Sequence, residues 1–141
     1  MAARILLVDD HELIREGLRL ILSSHGDWEI CGEAIDGQDA VEKAEHLKPD
    51  LVVLDLYMPR LDGFQATRRI LAENPRQKIL ILSMHDSPGL VLFVAQSGAQ
   101  GFARKTSGSN ELLTAIENIL AGGQFFPAAC VGPPTPTSQV C

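Results

Sequence analysis

Leu51-Val52-Val53-Leu54-Asp55 is a run of four apolar side chains closed by a carboxylate and opened by Pro49-Asp50. A strand with one face in water alternates apolar with polar residues. A run this uniformly apolar reads instead as a strand covered on both faces, inside a parallel sheet. Lys78-Ile79-Leu80-Ile81-Leu82-Ser83 reads the same way, and so does Arg4-Ile5-Leu6-Leu7-Val8, which is closed by Asp9-Asp10. Trp28-Glu29-Ile30-Cys31-Gly32-Glu33-Ala34 mixes polar residues into its run and suits a sheet edge. Gly101-Phe102-Ala103-Arg104 is a short fifth strand.

Helical periodicity fills the intervals between these runs. Residues 13–23 carry Ile14, Gly17, Leu18, Ile21 and Leu22 at helical spacing, and residues 38–47 carry Ala40, Val41, Ala44 and Leu47 on one face after an Asp36-Gly37 turn. Residues 64–73 form a third helix that stops near Asn74-Pro75, because a residue before proline is pushed out of the helical region. Residues 89–96 form a fourth, following His85-Asp86-Ser87-Pro88 and ending at Ser97-Gly98. Ser109-Asn110-Glu111 is suited to cap a fifth, which buries Leu112, Leu113, Ile116, Ile119 and Leu120 and stops at Gly122-Gly123. Strands alternating with helices give an α/β fold with a parallel sheet covered on both faces. Of the doubly wound orders, 2-1-3-4-5 puts the two-sided apolar strands in the middle and the second strand at an edge. The fold class expected is therefore a flavodoxin-like, five-stranded sheet. Residues 1–123 are expected to form the folded domain, and residues 124–141, with Pro127, Pro133, Pro134 and Pro136, a linker-like tail.

The 141 residues suit one domain, 45% of them are hydrophobic, and 21% are charged, which excludes wholesale disorder. A net charge of −6 argues against a surface built to grip nucleic acid. Cys31, Cys130 and Cys141 make no C-x-x-C unit and read as reduced thiols. Met-Ala-Ala-Arg runs straight into a strand without an apolar leader, and no apolar run approaches bilayer length. A soluble, cytoplasmic protein with no membrane contact is the expectation.

In an open parallel sheet, ligands sit beyond the carboxyl ends of the strands, where the strand order reverses. That point lies between the first and third strands, so Asp9, Asp10 and Asp55 gather in one crevice. Like charges at a few Å need a cation, and Mg²⁺ takes one or two carboxylates plus a phosphate oxygen. Ser83 closes the fourth strand with a hydroxyl donor, and Lys105 follows the fifth with a compact positive charge. A carboxylate nucleophile, a metal site, a hydroxyl and an ammonium converge, as phosphoryl transfer requires. Each residue alone has a plainer reading: Asp9-Asp10 and Asp55 as helix caps, Ser83 as a turn hydroxyl, Phe102 as core. His11, His25, His46 and His85 show no metal-ligand spacing and read as surface or loop residues. Trp28 reads as a partly buried edge-strand residue.

Val8-Asp9-Asp10-His11, Leu54-Asp55-Leu56-Tyr57-Met58-Pro59, Leu61-Asp62-Gly63, Leu82-Ser83 and Phe102-Ala103-Arg104-Lys105 resemble, in order, the signatures of bacterial response-regulator receiver domains. The resemblance covers about residues 4–122. It implies that Asp55 is the phosphoacceptor and that Asp10, Asp55 and the Tyr57 backbone carbonyl bind Mg²⁺, with Asp9 acting through water. Ser83 and Lys105 would contact the phosphoryl group, and Phe102 would change rotamer as Ser83 moves. The helix 4, strand 5, helix 5 face would then report the state. The partners implied are a sensor histidine kinase and a second copy of the chain upon phosphorylation. Ser83-Met84-His85-Asp86 and Ser97-Gly98-Ala99-Gln100-Gly101-Phe102 resemble the NarL/FixJ branch, whose members carry a LuxR-type helix-turn-helix domain after a linker. DNA would be reached only through such a domain, which these residues do not include. The resemblance makes the chain a signalling switch and not an enzyme, apart from its own phosphorylation and dephosphorylation. One departure is Thr106, which stands where receivers often have a cis proline, leaving the geometry of the Lys105–Thr106 bond open.

Three other classes compete. A flavodoxin-like cofactor binder needs a Ser/Thr/Gly-rich loop after strand one, where Asp9-Asp10-His11 would repel a flavin phosphate. A haloacid-dehalogenase phosphatase resembles an Asp-x-Asp pattern, and Tyr57 occupies the place of its second aspartate. A pseudo-receiver that only binds partners is expected to lose acidic or lysine positions, and this chain keeps them; the alternative that stays is a stand-alone or phosphorylation-independent receiver acting as a protein-interaction module.

Overall fold

The computed structural model describes residues 2–84, 87–105 and 109–126. The elements are β1 (Ala3–Val8), α1 (Glu12–Ser23), β2 (Trp28–Ala34), α2 (Gly37–Leu47), β3 (Leu51–Asp55), α3 (Gly63–Glu73), β4 (Lys78–Ser83), α4 (Pro88–Gln96), β5 (Gly101–Arg104) and α5 (Ser109–Leu120). The five strands pair in parallel in the order β2-β1-β3-β4-β5, as the sequence leads one to expect. Helices begin within two residues of the expected positions. The differences have local causes: Asp36, Asp62 and Ser87 each accept a backbone N–H and cap a helix one or two residues earlier than apolar spacing alone suggests.

Strand alternation splits the apolar residues into two cores. Leu6, Val8, Val52, Leu54, Ile79, Ile81 and Phe102 face α2, α3 and α4. Ile5, Leu7, Leu51, Val53, Leu80, Leu82 and Ala103 face α1 and α5. Every residue of β3 is buried, which confirms the two-sided reading of the run that decides the fold. Trp28 is buried, deeper than its edge strand suggests, because the His25 ring stacks on it with centroids 3.7 Å apart. The outer edge of β5 is covered by Phe125, which donates to the Gln100 carbonyl (3.0 Å) and accepts from the Phe102 N–H (2.8 Å). These bonds satisfy backbone groups that an open strand edge leaves bare.

Asp36 shows how the caps hold the frame. Its carboxylate accepts the Asp39 N–H at 2.8 Å and pairs with Arg60, which belongs to the loop after β3. The Asp39 hydrogen bond, opposed by burial and helped by Arg60, holds the Asp36 carboxyl below its ordinary value. A carboxyl depressed in the folded state contributes stability that is present above its unfolded value and lost as the pH falls through its native one. Asp36→Ala is expected to cost about 1–2 kcal/mol at pH 7. The gap from wild type should shrink below pH 3, as urea unfolding at the two pH values would measure.

Candidate functional site

Val8 stands opposite Leu54 in the β1–β3 ladder, so the residues that follow, Asp9 and Asp55, emerge side by side at the carboxyl end of the sheet. Asp9 is fully buried and Asp55 nearly so. Lys105, one residue beyond β5, crosses β4 to reach both. Its Nζ donates to Asp9 Oδ2 at 2.9 Å and lies 2.9 Å from Asp55 Oδ1. The lysine is held from behind, where its backbone N–H donates to the Ser83 carbonyl at 2.9 Å. Thr106 lies outside the described residues, and with it the Lys105–Thr106 bond.

One ammonium does not neutralise three carboxylates. Burial raises the Asp55 pKa above its ordinary value; the Lys105 hydrogen bond pulls it back, while the charges of Asp9 and Asp10 push it up again. Burial works against the Lys105 ammonium, yet its hydrogen bonds to Asp9 and Asp55 prevail, and its pKa is raised. Burial thus leads the rise at Asp55, with the neighbouring carboxylates adding to it, while at Lys105 the carboxylates outweigh burial. Asp9, Asp10, His11 and Asp55 each offer a ligand atom, all within 4.8 Å of one another, and the three carboxylates of the set suit a hard divalent cation.

The loop after Asp55 is set by the Leu61-Asp62-Gly63 segment. Asp62 Oδ1 accepts the Gln65 N–H at 2.9 Å, and Gln65 Oε1 accepts the Asp62 N–H at 3.3 Å, a closed capping box that starts α3. The Gly63 N–H donates to the Leu56 carbonyl at 2.7 Å. A Cβ at Gly63 would stand 2.7 Å from the Asp55 carbonyl oxygen, so only glycine lets the helix start press against the strand end. Tyr57 lies within this loop with its ring half exposed.

Ser83 is fully buried at the end of β4, on the sheet face of Ile79 and Ile81. Phe102 is fully buried on the same face, paired with Ile81 across the β4–β5 ladder. The structure thus brings Asp9, Asp10, Asp55 and Lys105 into one cluster and sets Ser83, Tyr57 and Phe102 on the adjoining strand ends and loop. His11 is an exposed loop residue, as the sequence leads one to expect, and its ring also meets the acidic cluster. Its Nδ1 lies 3.2 Å from Asp9 Oδ1 and 3.1 Å from Asp10 Oδ1. Ligand spacing along a helix could not reveal a side chain that folds back on its own two neighbours in a loop.

Comparison with known proteins meets this geometry directly. Residues 5–117 match the response regulator receiver domain. The chain belongs to that family. The receiver is 35% identical over 123 residues to the transcriptional regulatory protein DegU of Brevibacillus brevis, covering 87% of this chain and 52% of DegU. It is 33% identical over 123 residues to the response regulator GacA of Pseudomonas aeruginosa, covering 87% of this chain and 58% of GacA. The chain therefore spans little more than half the length of these curated relatives. A LuxR-family two-component response regulator from Aurantimonas sp. SI85-9A1 superposes with a TM-score of 0.86 at 38% identity, covering 89% of each chain. The signal receiver domain of a NarL response regulator from Mycobacterium tuberculosis superposes at 0.81 with 36% identity, covering 86% of this receiver and 98% of that chain. These relatives lie in the branch that the sequence signatures resemble. A receiver is a signalling module of two-component systems and not an enzyme in the ordinary sense. Among the described residues, no helix of this one is long and apolar enough to cross a membrane.

Proposed function

We propose that Asp55 of this receiver accepts a phosphoryl group from a sensor histidine kinase in a Mg²⁺-dependent reaction in the cytoplasm. The observation that carries the reading is the Lys105 ammonium, 2.9 Å from both Asp9 and Asp55, beside a further carboxylate on Asp10. Asp10, Asp55 and the Tyr57 carbonyl would hold Mg²⁺ directly and Asp9 through water; when bound, the ion neutralises the carboxylates and the incoming phosphoryl oxygens. An Asp55 carboxylate oxygen forms the new O–P bond as the bond from phosphorus to the kinase imidazole breaks, and the departing imidazole takes up a proton. Lys105 offsets charge on the phosphoryl oxygens, a fixed ammonium already aimed at the acceptor. Ser83 donates its hydroxyl to another of these oxygens, and Phe102, beside it on the same face, follows the movement.

The α4, β5 and α5 face reports the change. Phosphorylation here is a local charge event that biases a two-state element. Dimerisation is the expected output, with control of a LuxR-type helix-turn-helix domain outside residues 1–141, and DNA is reached only through that domain. Amide chemical shifts with and without beryllofluoride and Mg²⁺ test the switch. The expected perturbation reaches Ser83, Phe102 and the α4–β5–α5 face. Perturbation confined to Asp9, Asp10, Asp55 and Tyr57 would refute the switch, and none at Asp55 would refute the acceptor.

A further inference from the structure

We infer that the His11 imidazole is a ligand of this metal site and gives it a preference for a borderline transition ion such as Ni²⁺ over Mg²⁺. The inference rests on the reading of the acidic cluster as a metal site and adds a donor to it. His11 occupies the N-cap position of α1, yet its side chain makes no capping hydrogen bond. The ring folds back instead, placing Nδ1 3.2 Å from Asp9 Oδ1 and 3.1 Å from Asp10 Oδ1. Lys105 engages the other oxygen of Asp9, Oδ2, and Asp55 Oδ1. The carboxylate oxygens are thus divided, with the ammonium on one side and the imidazole on the other.

Adjacent ligands around an octahedral ion with bonds of 2.0–2.1 Å stand about 3 Å apart. The 3.1 Å separation of His11 Nδ1 from Asp10 Oδ1, a direct ligand in that reading, matches that edge. The ring is 66% exposed, so it has room to turn its lone pair toward an ion without disturbing the core. Mg²⁺ takes oxygen ligands and gains little from an imidazole, whereas imidazole nitrogen suits Ni²⁺, Cu²⁺ and Zn²⁺, and affinity rises along the Irving–Williams order. The imidazole therefore discriminates between the two classes of ion, while the carboxylates serve both.

Calorimetric titration of residues 1–141 with Ni²⁺ and, separately, with Mg²⁺ tests this, using wild type, His11→Gln and Asp10→Asn. In His11→Gln the Ni²⁺ affinity is expected to fall at least tenfold while the Mg²⁺ affinity stays within twofold, which also shows that the site is still formed. Asp10→Asn should weaken both ions. Displacement of Ni²⁺ by excess Mg²⁺ ties the signal to this site and not to His25, His46 or His85. An unchanged or raised Ni²⁺ affinity in His11→Gln, with Mg²⁺ still bound, would overturn the role of His11 alone and leave it a hydrogen-bond partner of the carboxylates. Failure of wild type to bind Mg²⁺, or of Asp10→Asn to weaken it, would take down the metal-site reading and this inference together.

Discussion

Lys105→Met is expected to slow phosphoryl uptake by Asp55 from acetyl phosphate by about 10²- to 10³-fold, the usual cost of removing one preorganised donor from a developing charge. Its Nζ lies 2.9 Å from the Asp55 carboxylate and is largely buried, and its backbone N–H is tied to the Ser83 carbonyl. Methionine keeps most of the apolar stem and removes the ammonium, its charge and its donors together. The same change leaves Asp9 and Asp55 uncompensated, which should cost about 3 kcal/mol of stability at pH 8. The sign with pH follows from the shifts. Lys105 is raised above its ordinary value, so its contribution is fully present below pH 10.5 and lost as the pH rises through its native value. Asp55 is raised as well, so the folded state favours its proton, and stability falls as the pH climbs from 3.8 through the native value. Without the lysine, that native value moves higher still. Urea unfolding should therefore show the variant closer to wild type at pH 5 than at pH 8, with Mg²⁺ narrowing the gap at pH 8. A gap independent of both pH and Mg²⁺ would mean that Lys105 acts through packing and not through charge.

Phe102→Ala is expected to cost about 3–5 kcal/mol, because the ring is fully buried and its removal leaves a cavity that the sheet cannot collapse into. The ring belongs to the buried core cluster that includes Ile79 and Ile81 on β4 and Val91 and Val94 on α4. Its backbone is tied on the other edge by Phe125. Phe102→Leu should cost much less, since most of the volume is kept. Chemical denaturation of the two variants measures the difference. A loss under 1 kcal/mol for the alanine variant would mean that α4 closes over the gap, and that the α4–β5 contact is far softer than a packed core.

The strands were legible because burial on two faces leaves short, uniformly apolar runs bounded by turn residues, and their order agreed with a known doubly wound pattern that the runs alone do not dictate. Leu51-Val52-Val53-Leu54 admits no water-facing side, and β3 sits at the centre of the sheet accordingly. Asp9, Asp10 and Asp55 were legible for a related reason: each ends or follows an apolar run, and the sheet order brings those ends together. Helix starts were less so. The caps at Asp36, Asp62 and Ser87 depend on a side chain meeting one particular N–H, which apolar spacing does not record. Phe125 gave no signal at all, since a single residue pairing with a sheet edge has no periodicity. His11 was hidden because its contacts are to its own neighbours, through a loop conformation that the sequence pattern does not specify. The patterned residues make the scaffold, and the unpatterned ones tune its site.

Intact mass after incubation with acetyl phosphate, with and without Mg²⁺, for wild type and Asp55→Asn, tests the central claim most directly. The expected result is a single phosphoryl adduct in wild type that needs Mg²⁺ and is absent from the variant. An adduct that persists in Asp55→Asn, or none in folded wild type that binds Mg²⁺, would contradict Asp55 as the phosphoacceptor of this receiver.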